Sequence, residues 1–284
     1  MKIVPLAAES MGCRSMATFI ETPKMSIIID PGAGLGEFRL GHKPHALEKW
    51  ILKKHLERIY LYLEKADVVI ISHFHFNHYI YNNPDIYTGK ILLVKNPNRM
   101  IGLSQRNRAF DFLNFIRNIP EEIIYVDNRM YKFEEIKLKF SKPVGHSGDP
   151  ESGYVLMVCL QEKEEEFLFI PDIEVFTNEV VEWIVSKNNP NIIYTDGPIT
   201  YFYDDEGRAA IINNYIEAYK RIIRRTTLAK IIIDHHIFRD INWTEKINPL
   251  LKYSQSKGII MQPAAMFRGE EINLLEARRD ELYK

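Results

Sequence analysis

Three histidines that fall within six residues are the strongest chemical signal in this sequence. His73, His75 and His78 stand in the stretch SHFHFNH, which directly follows the apolar run from Val68 to Ile71. Imidazole nitrogens are common ligands of zinc and other divalent metals, and a sheet fixes the backbone of a loop that aims several rings at one point. This spacing therefore indicates a metal site and not an ordinary surface turn.

Single candidate ligands recur later in the chain, each shortly after an apolar strand. They are His146, Asp172, His235 and His236. Because strand ends at one edge of a sheet can converge in space, these residues are expected to complete the site that the first loop begins. Alternate residues of a strand face opposite sides, so only one of the two adjacent histidines is expected to point inward. We expect His235, which is nearer the strand end, and keep His236 as the alternative ligand.

The ordered motifs HFHFNH, GHSGD, FIPDIE and IIIDHH resemble the metal-binding motifs of the metallo-β-lactamase superfamily. Asp30, at the end of an early strand, matches the first motif of that superfamily. The match runs from residue 30 to residue 236 in the correct order, which is more specific than any single motif. The whole chain is also similar to an uncharacterised archaeal branch of the superfamily.

The resemblance implies a site that holds one or two divalent ions with ligands from both halves of the chain. It implies that His73, His75 and His146 bind the first metal, that His78 and one of His235 or His236 bind the second, and that Asp172 bridges both. Asp30 is then a residue that orients a ligand. Zinc suits three imidazoles and a carboxylate best, with iron or manganese as alternatives.

The chain departs from the superfamily pattern at Asn77, where HxHxDH has an aspartate. An amide oxygen is neutral and binds a divalent ion more weakly than a carboxylate does, and an amide cannot carry a proton. Three outcomes follow: a weakly filled second site, a different preferred metal, or catalysis on one metal. We count Asn77 with Asp172 and Asp30 as the residues expected to act in catalysis.

The activity that the resemblance implies is metal-assisted hydrolysis, in which a metal-bound hydroxide attacks an ester, thioester, lactone or phosphodiester. A metal-dependent ribonuclease is one alternative, and it predicts a basic channel near the site. A metal-binding protein of the same fold without turnover is the other, because of Asn77. A small-molecule or anionic substrate is the expected partner, since the net charge of −1 disfavours nucleic acid.

Candidate substrate contacts come from three places in the sequence. His42 and His45 lie in or just after a glycine-rich loop that follows Asp30, Arg14 follows a polar interruption between two strands, and Asp196 stands at a strand end. A loop beside the metal site can cover it and bind an anion. The alternatives are an ordinary surface loop, a solvated turn for Arg14 and a turn-forming role for Asp196.

The composition limits the classes of protein to which the chain can belong. The chain has 284 residues with 46% hydrophobic and 26% charged residues, as is typical of a soluble globular protein. Its two cysteines, Cys13 and Cys159, form no CxxC pair, so a reduced cytoplasm is expected. It lacks a signal-peptide pattern and an 18-residue apolar run, which agrees with a cytosolic protein.

The elements that must position these residues alternate between strands and helices in two similar halves. Amphipathic helices are predicted at about 44–65 and 207–225, one strand over 154–160, one helix over 243–256, and a charged helix at the C-terminus. The resemblance implies an α+β fold, a four-layer αββα sandwich of two mixed sheets flanked by helices. We expect residues 1–284 to form a single domain of this kind.

Overall fold

The computed structural model of the protein describes residues 1–146, 152–201 and 205–284. One sheet has six strands in the order β1-β2-β3-β4-β5-β6. These are β1 (Lys2–Pro5), β2 (Thr18–Glu21), β3 (Ser26–Ile29), β4 (Val68–Ile71), β5 (Ile91–Val94) and β6 (Glu122–Tyr125). The strands from β3 to β6 run parallel, so the carboxyl ends of β3 and β4 meet at one edge. Asp30 and His73 follow those two ends.

The second sheet has seven strands in the order β15-β14-β13-β12-β11-β8-β7. These are β7 (Met130–Phe133), β8 (Ile136–Phe140), β11 (Val158–Glu162), β12 (Glu165–Ile170), β13 (Ile192–Asp196), β14 (Lys230–Asp234) and β15 (Ile260–Pro263), while β9 (Val144–Gly145) and β10 (Tyr154–Val155) form a separate ladder. The strands from β12 to β15 are parallel. Their shared edge therefore carries Asp172, Asp196 and His235.

Helices cover the outer faces of both sheets. They are α1 (Ala46–Leu63), α2 (Leu103–Ile116), α3 (Asn178–Lys187), α4 (Asp205–Arg225), α5 (Trp243–Lys246), α6 (Asn248–Ser256) and α7 (Ala264–Phe267). One apolar core lies between the sheets, where Ile70 and Phe169 belong to the same cluster. Two more cores lie under the helices, one with Phe112 of α2 and one with Tyr219 of α4. Two mixed sheets flanked by helices confirm the predicted α+β sandwich.

The structure differs from the prediction in three elements. The strand predicted over 154–160 breaks after β10, because the Leu156 N–H donates to the Ser72 carbonyl at 3.1 Å, across to the other sheet. The helix predicted over 243–256 is two helices, and Pro249 at the start of α6 cannot continue the first one.

The charged C-terminal helix was also predicted wrongly, because the segment forms only a short 3-10 helix, Arg279–Tyr283. Arg279 is fully buried there. Its guanidinium donates to Glu48 at 2.8 Å and to the carbonyls of Gly36 and His42 at 2.9 and 3.2 Å. The C-terminal segment is thus held by the side-chain bonds of Arg279 to the first turn of α1 and to the loop that precedes it.

Among the described residues, no helix is both long enough and apolar enough to cross a membrane. The prediction of a single domain stays a prediction.

Candidate metal centre

The histidine loop, residues 73–78, leaves the end of β4 and closes with a 3-10 helix, Phe76–His78. Asp30 holds it from the neighbouring strand. Its Oδ1 accepts from the Ser72 N–H at 2.7 Å, and its Oδ2 accepts from the Ser72 hydroxyl at 2.5 Å and from His78 Nδ1 at 2.9 Å. Because the Ser72 hydroxyl donates to Asp30, it accepts from His73 Nδ1 at 2.9 Å, which leaves Nε2 of His73 free to bind a metal.

Asp172 is the point where the histidines of both halves meet. Its Oδ2 lies 3.2 Å from His73 Nε2, 3.2 Å from His146 Nε2, 3.4 Å from His78 Nε2 and 3.8 Å from His75 Nδ1, and its Oδ1 lies 3.5 Å from His235 Nε2. The structure therefore brings together six residues that the sequence predicts as ligands. The remainder of the GHSGD motif, 147–149, lies outside the described residues.

The donor set fits divalent metal ions. One group, His73, His75, His146 and Asp172, and a second, His78, Asp172 and His235, each have ligand atoms within 4.8 Å of one another. Asp172 Oδ1 and His78 Nε2 are buried without a hydrogen-bond partner among the described residues. Buried polar atoms are normally hydrogen-bonded, so unpaired atoms that face a cluster of imidazoles fit a role as metal ligands. Three nitrogens and one carboxylate also match zinc chemistry.

Most of these side chains have the protonation state that binding of a cation requires. Burial lowers the pKa of His75 to about 4 and that of His73 well below its ordinary value, so both rings are neutral at pH 7. For His78, burial opposes the charged form, but the carboxylates of Asp172 and Asp30 outweigh it and raise the pKa to about 10. Burial would likewise raise the pKa of Asp172, but the surrounding histidines hold it well below its usual range.

Three residues at this edge have left-handed backbones: Asp30 with φ 48°, Asp172 with φ 43° and His235 with φ 81°. Such values are uncommon for residues other than glycine and persist where surrounding contacts enforce them. All three come directly or one residue after a parallel strand. At these turns the side chains of Asp172 and His235 approach each other, while that of Asp30 contacts Ser72 and His78.

The two adjacent histidines after β14 have different surroundings. His235 directs Nε2 towards Asp172 Oδ1, as the second group requires. His236 instead binds Asp196, with Nδ1 at 2.5 Å from Oδ2 and the backbone N–H donating to Oδ1 at 2.8 Å. His236 also forms a cluster with Asp172 and Asp196. The geometry favours His235 and leaves His236 as the alternative.

Asn77 lies beside the second group. Its Nδ2 is 3.4 Å from His235 Nε2. The residue at the aspartate position of the HxHxDH motif therefore lies beside the second group.

Glu9 and Arg239 are functional candidates that sequence reasoning missed. Glu9 belongs to a buried 3-10 helix, Glu9–Met11, and its Oε2 lies 2.7 Å from His235 Nδ1. The same carboxylate accepts from Arg239, whose Nη1 donates to the Tyr201 hydroxyl at 3.2 Å. Burial raises the pKa of Glu9, but Arg239 and His235 outweigh it and lower the pKa. The sequence signal that could have identified Glu9 is an acidic residue within a run of mostly small residues, AAESMGC.

The predicted substrate contacts other than Asp196 lie against the C-terminal segment. Arg14 donates to Glu276 at 2.5 Å. His42 stacks on Tyr283 with 4.5 Å between ring centroids, and His45 caps α1 by accepting from the Leu47 N–H. These side chains hold the loop before α1 in place, and their contact with substrate stays a prediction.

Solved structures share the fold across most of the chain. A metallo-β-lactamase fold protein from Bacillus subtilis, YhfI, has a TM-score of 0.54 at 12% identity and covers 92% of this chain and 95% of its own. Zn²⁺-bound PqqB from Methylobacterium extorquens has a TM-score of 0.56 at 9% identity, covering 93% and 98%. CmlA, a diiron β-hydroxylase from Streptomyces venezuelae, has a TM-score of 0.55 at 12% identity, covering 87% and 51%. These likenesses confirm the metallo-β-lactamase fold.

No family model matches the chain. Archaeal relatives match the chain over nearly its whole length. The UPF0282 protein of Methanocaldococcus jannaschii is 36% identical over 294 residues, covering 99% of this chain and 96% of the relative. The UPF0282 protein of Pyrococcus furiosus is 37% identical over 297 residues, covering 100% and 92%. This identity and coverage confirm the predicted archaeal branch, and the chain belongs to the UPF0282 family.

Proposed function

We propose that the protein is a metal-dependent hydrolase. The observation that carries the proposal is the position of Asp172, whose carboxylate lies within 3.8 Å of a nitrogen of each of five histidines. Four of these histidines follow strands of the two main sheets and His146 follows β9 of the separate ladder, and two overlapping donor groups share the one carboxylate. A divalent ion, when bound, polarises a scissile bond and lowers the pKa of water.

The residues that would hold the ions follow from these groups. His73, His75, His146 and Asp172 would hold the first ion, and His78, Asp172 and His235 the second. Zinc is the proposed metal because imidazole and carboxylate ligands suit it. Zn²⁺-bound PqqB has the same fold. Iron is an alternative, since CmlA is a diiron protein on this fold, and manganese is another because it also binds carboxylates.

The other residues of the site orient ligands and the substrate. Asp30 fixes the ring of His78 through Nδ1, and the Ser72 hydroxyl fixes that of His73. Asn77 offers N–H donors next to His235. An amide in this place cannot accept a proton, but it can donate to an oxygen on which negative charge develops. Asn77 therefore suits binding of an oxyanion better than proton transfer.

The substrate classes that fit are esters, thioesters, lactones and phosphodiesters, because all are cleaved by water at a polarised centre. We also propose a cytoplasmic location, which the buried, unpaired Cys13 and Cys159 fit.

The test combines metal analysis with hydrolysis. Protein purified without a chelator or a histidine tag is analysed for metal per chain and assayed on one generic substrate of each class. Asp172→Asn should lose metal and activity, whereas Asp67→Asn, at an exposed aspartate that caps the start of β3, should keep both. Metal near zero in the native protein would overturn the proposal. Metal binding without any hydrolysis would favour the protein without turnover.

A further inference from the structure

A cavity of about 730 Å³ lies between the loop that precedes α1, the segments that follow β13 and β14, and the C-terminal segment. We call it the Arg39 cavity. Sites for small molecules typically have volumes of roughly 300 to 1,000 Å³. None of the residues that line it belongs to the two metal groups. Four cationic side chains line it: Arg39, Arg208, Arg239 and Lys246.

Two guanidinium groups meet on one tyrosine in the wall of this cavity. The guanidinium carbon of Arg39 lies 4.2 Å from the centre of the Tyr201 ring, and Arg239 Nη1 donates to the Tyr201 hydroxyl at 3.2 Å. Arg39 Nη2 also donates to the Arg239 carbonyl at 2.6 Å. The carboxylate of Glu9 balances the charge of Arg239. Arg39 has no ion pair within the described part of the chain, so one of two neighbouring positive charges is unbalanced.

The side chain of Arg39 is held in place but keeps N–H groups for a ligand. The carbonyl of Arg239 and the ring of Tyr201 fix its orientation. Its Nε is buried without an acceptor, and its Nη1 is accessible and has no acceptor among the described residues. Lys246 likewise forms no ion pair with a residue that the structure describes. Fixed guanidinium N–H groups bind the oxygens of a carboxylate or phosphate well.

The turn that carries Arg39 also brings apolar surface to the cavity. Arg39 and His42 exchange two backbone N–H···O bonds of 3.0 Å, and the residues between them, Leu40 and Gly41, have φ values of 51° and 80°. Such turns favour asparagine or glycine, because a positive φ strains other side chains. Leu40 nevertheless lines the cavity and is 50% exposed, as Ile241 is at 49%. A ligand with an apolar part would cover these side chains.

Three acidic residues line the cavity as well, but they leave its cations in excess. The Asp240 carboxylate accepts from the Thr200 hydroxyl at 2.6 Å. Asp280 forms an ion pair with Lys284 at 3.2 Å. Glu281 is exposed. The charges of Arg39 and Lys246 therefore remain available to an anion.

We propose that the Arg39 cavity binds a small organic oxyanion, that is, a phosphate or carboxylate joined to an apolar group. The oxygens would bind Arg39 and Lys246, and the apolar group would contact Leu40 and Ile241. Binding of the anion does not depend on the proposed function, because the lining contains no candidate metal ligand.

The ligand is the anionic end of the substrate or a separate molecule. Tyr201 follows β13 and Arg239 follows β14, so the cavity lies at the same edge of the second sheet as Asp196 and His235. Only the assignment to the substrate rests on the proposed function.

The first experiment measures binding by calorimetry. The native chain is titrated with phenylphosphonate, whose carbon–phosphorus bond hydrolysis does not cleave, with benzoate, and with neutral benzyl alcohol. We expect both anions to bind and the alcohol to bind about tenfold more weakly or worse, because it lacks the charge. Arg39→Gln should lower the affinity for phenylphosphonate about tenfold or more. Lys246→Gln should lower it about threefold, as an ion pair near the surface would.

Two controls accompany these variants. Arg117→Gln, at an exposed arginine next to α2, should bind phenylphosphonate with native affinity. Asp172→Asn should do so too, whereas an anion held by the proposed metal ions would be lost with them. Circular dichroism checks that each variant is folded. Absence of binding at low salt, native affinity in Lys246→Gln or in a folded Arg39→Gln, or loss of binding in Asp172→Asn alone would overturn the inference.

The second experiment identifies the source of the anion. Hydrolysis of 4-nitrophenyl acetate is compared with that of the 4-nitrophenyl monoester of glutaric acid, which carries a free carboxylate. If the cavity holds the anionic end of the substrate, Arg39→Gln raises KM for the glutarate ester alone, and phenylphosphonate competes with that ester. If the ligand is a separate molecule, neither KM changes and phenylphosphonate does not compete. Anion binding without hydrolysis of either ester would contradict the hydrolase and support the Arg39 cavity.

Discussion

The Oε2 atom of Glu9 lies 2.7 Å from Nδ1 of His235, although the two residues belong to opposite ends of the chain. Arg239 binds the same carboxylate and keeps it charged. The contact does not have hydrogen-bond geometry, but a carboxylate this close to Nδ1 favours the tautomer that carries its proton there, and Nε2 then keeps its lone pair for the second metal group. The first stretch of the chain therefore sets the orientation of a ligand in its last third.

Glu9→Gln is expected to weaken binding at the second metal group about 10- to 100-fold, because a neutral amide no longer fixes the tautomer of His235. Competition with a fluorescent zinc chelator measures this affinity. Glu276→Gln, which removes the ion pair with Arg14, serves as the matched control and should retain it. Equal affinities of native and Glu9→Gln protein, with native circular dichroism for both, would show that Glu9 has no such role.

Asn77→Asp is expected to raise occupancy of the second group, because it adds a negative charge beside His235 Nε2. The measurement is metal per chain after dialysis against limiting zinc, together with hydrolysis of generic esters and phosphodiesters. Asn98→Asp, at an exposed turn, controls for the added charge. If metal content and hydrolysis both stay unchanged, the idea that Asn77 weakens the second group is wrong.

The variants His235→Ala and His236→Ala should show which of the two adjacent histidines is a metal ligand. The first removes a ring that faces Asp172, so we expect one metal fewer per chain. The second removes a ring bonded to Asp196, so the metal count should not change. Elemental analysis of both variants, prepared side by side, checks the assignment. Loss of metal in His236→Ala alone would reverse it.

Metal binding should release a proton from His78. In the metal-free protein, the carboxylates of Asp172 and Asp30 raise the pKa of this ring to about 10, so the ring is protonated at neutral pH. A metal must displace that proton, and affinity at the second group should rise about tenfold per pH unit between pH 7 and 9. Calorimetry in two buffers of different ionisation enthalpy counts the protons. A count of zero at pH 7 would contradict this.

The sequence predicts the parts of the site that depend on local pattern. The histidine loop and Asp172 each follow a strand that its apolar residues reveal, and parallel strands bring such ends to one edge. Glu9 could not be found this way, because its partners depend on contacts between distant elements and its own segment has no periodicity. The prediction of a charged C-terminal helix is wrong for the same reason. Charged residues near the terminus suggest an exposed helix, yet the bonds of Arg279 to Glu48 bury that residue.

The meeting of both sheets at Asp172 has a consequence for thermal unfolding. Ligands from β4 and its loop belong to one sheet, while Asp172 and His235 follow strands of the other, so the sheets cannot separate without breaking the ligand set. An ion that binds only the folded chain adds its binding free energy to the free energy of unfolding. With the proposed ions bound, the melting temperature is expected to rise with free metal concentration, and a chelator is expected to lower it to the value of the metal-free chain.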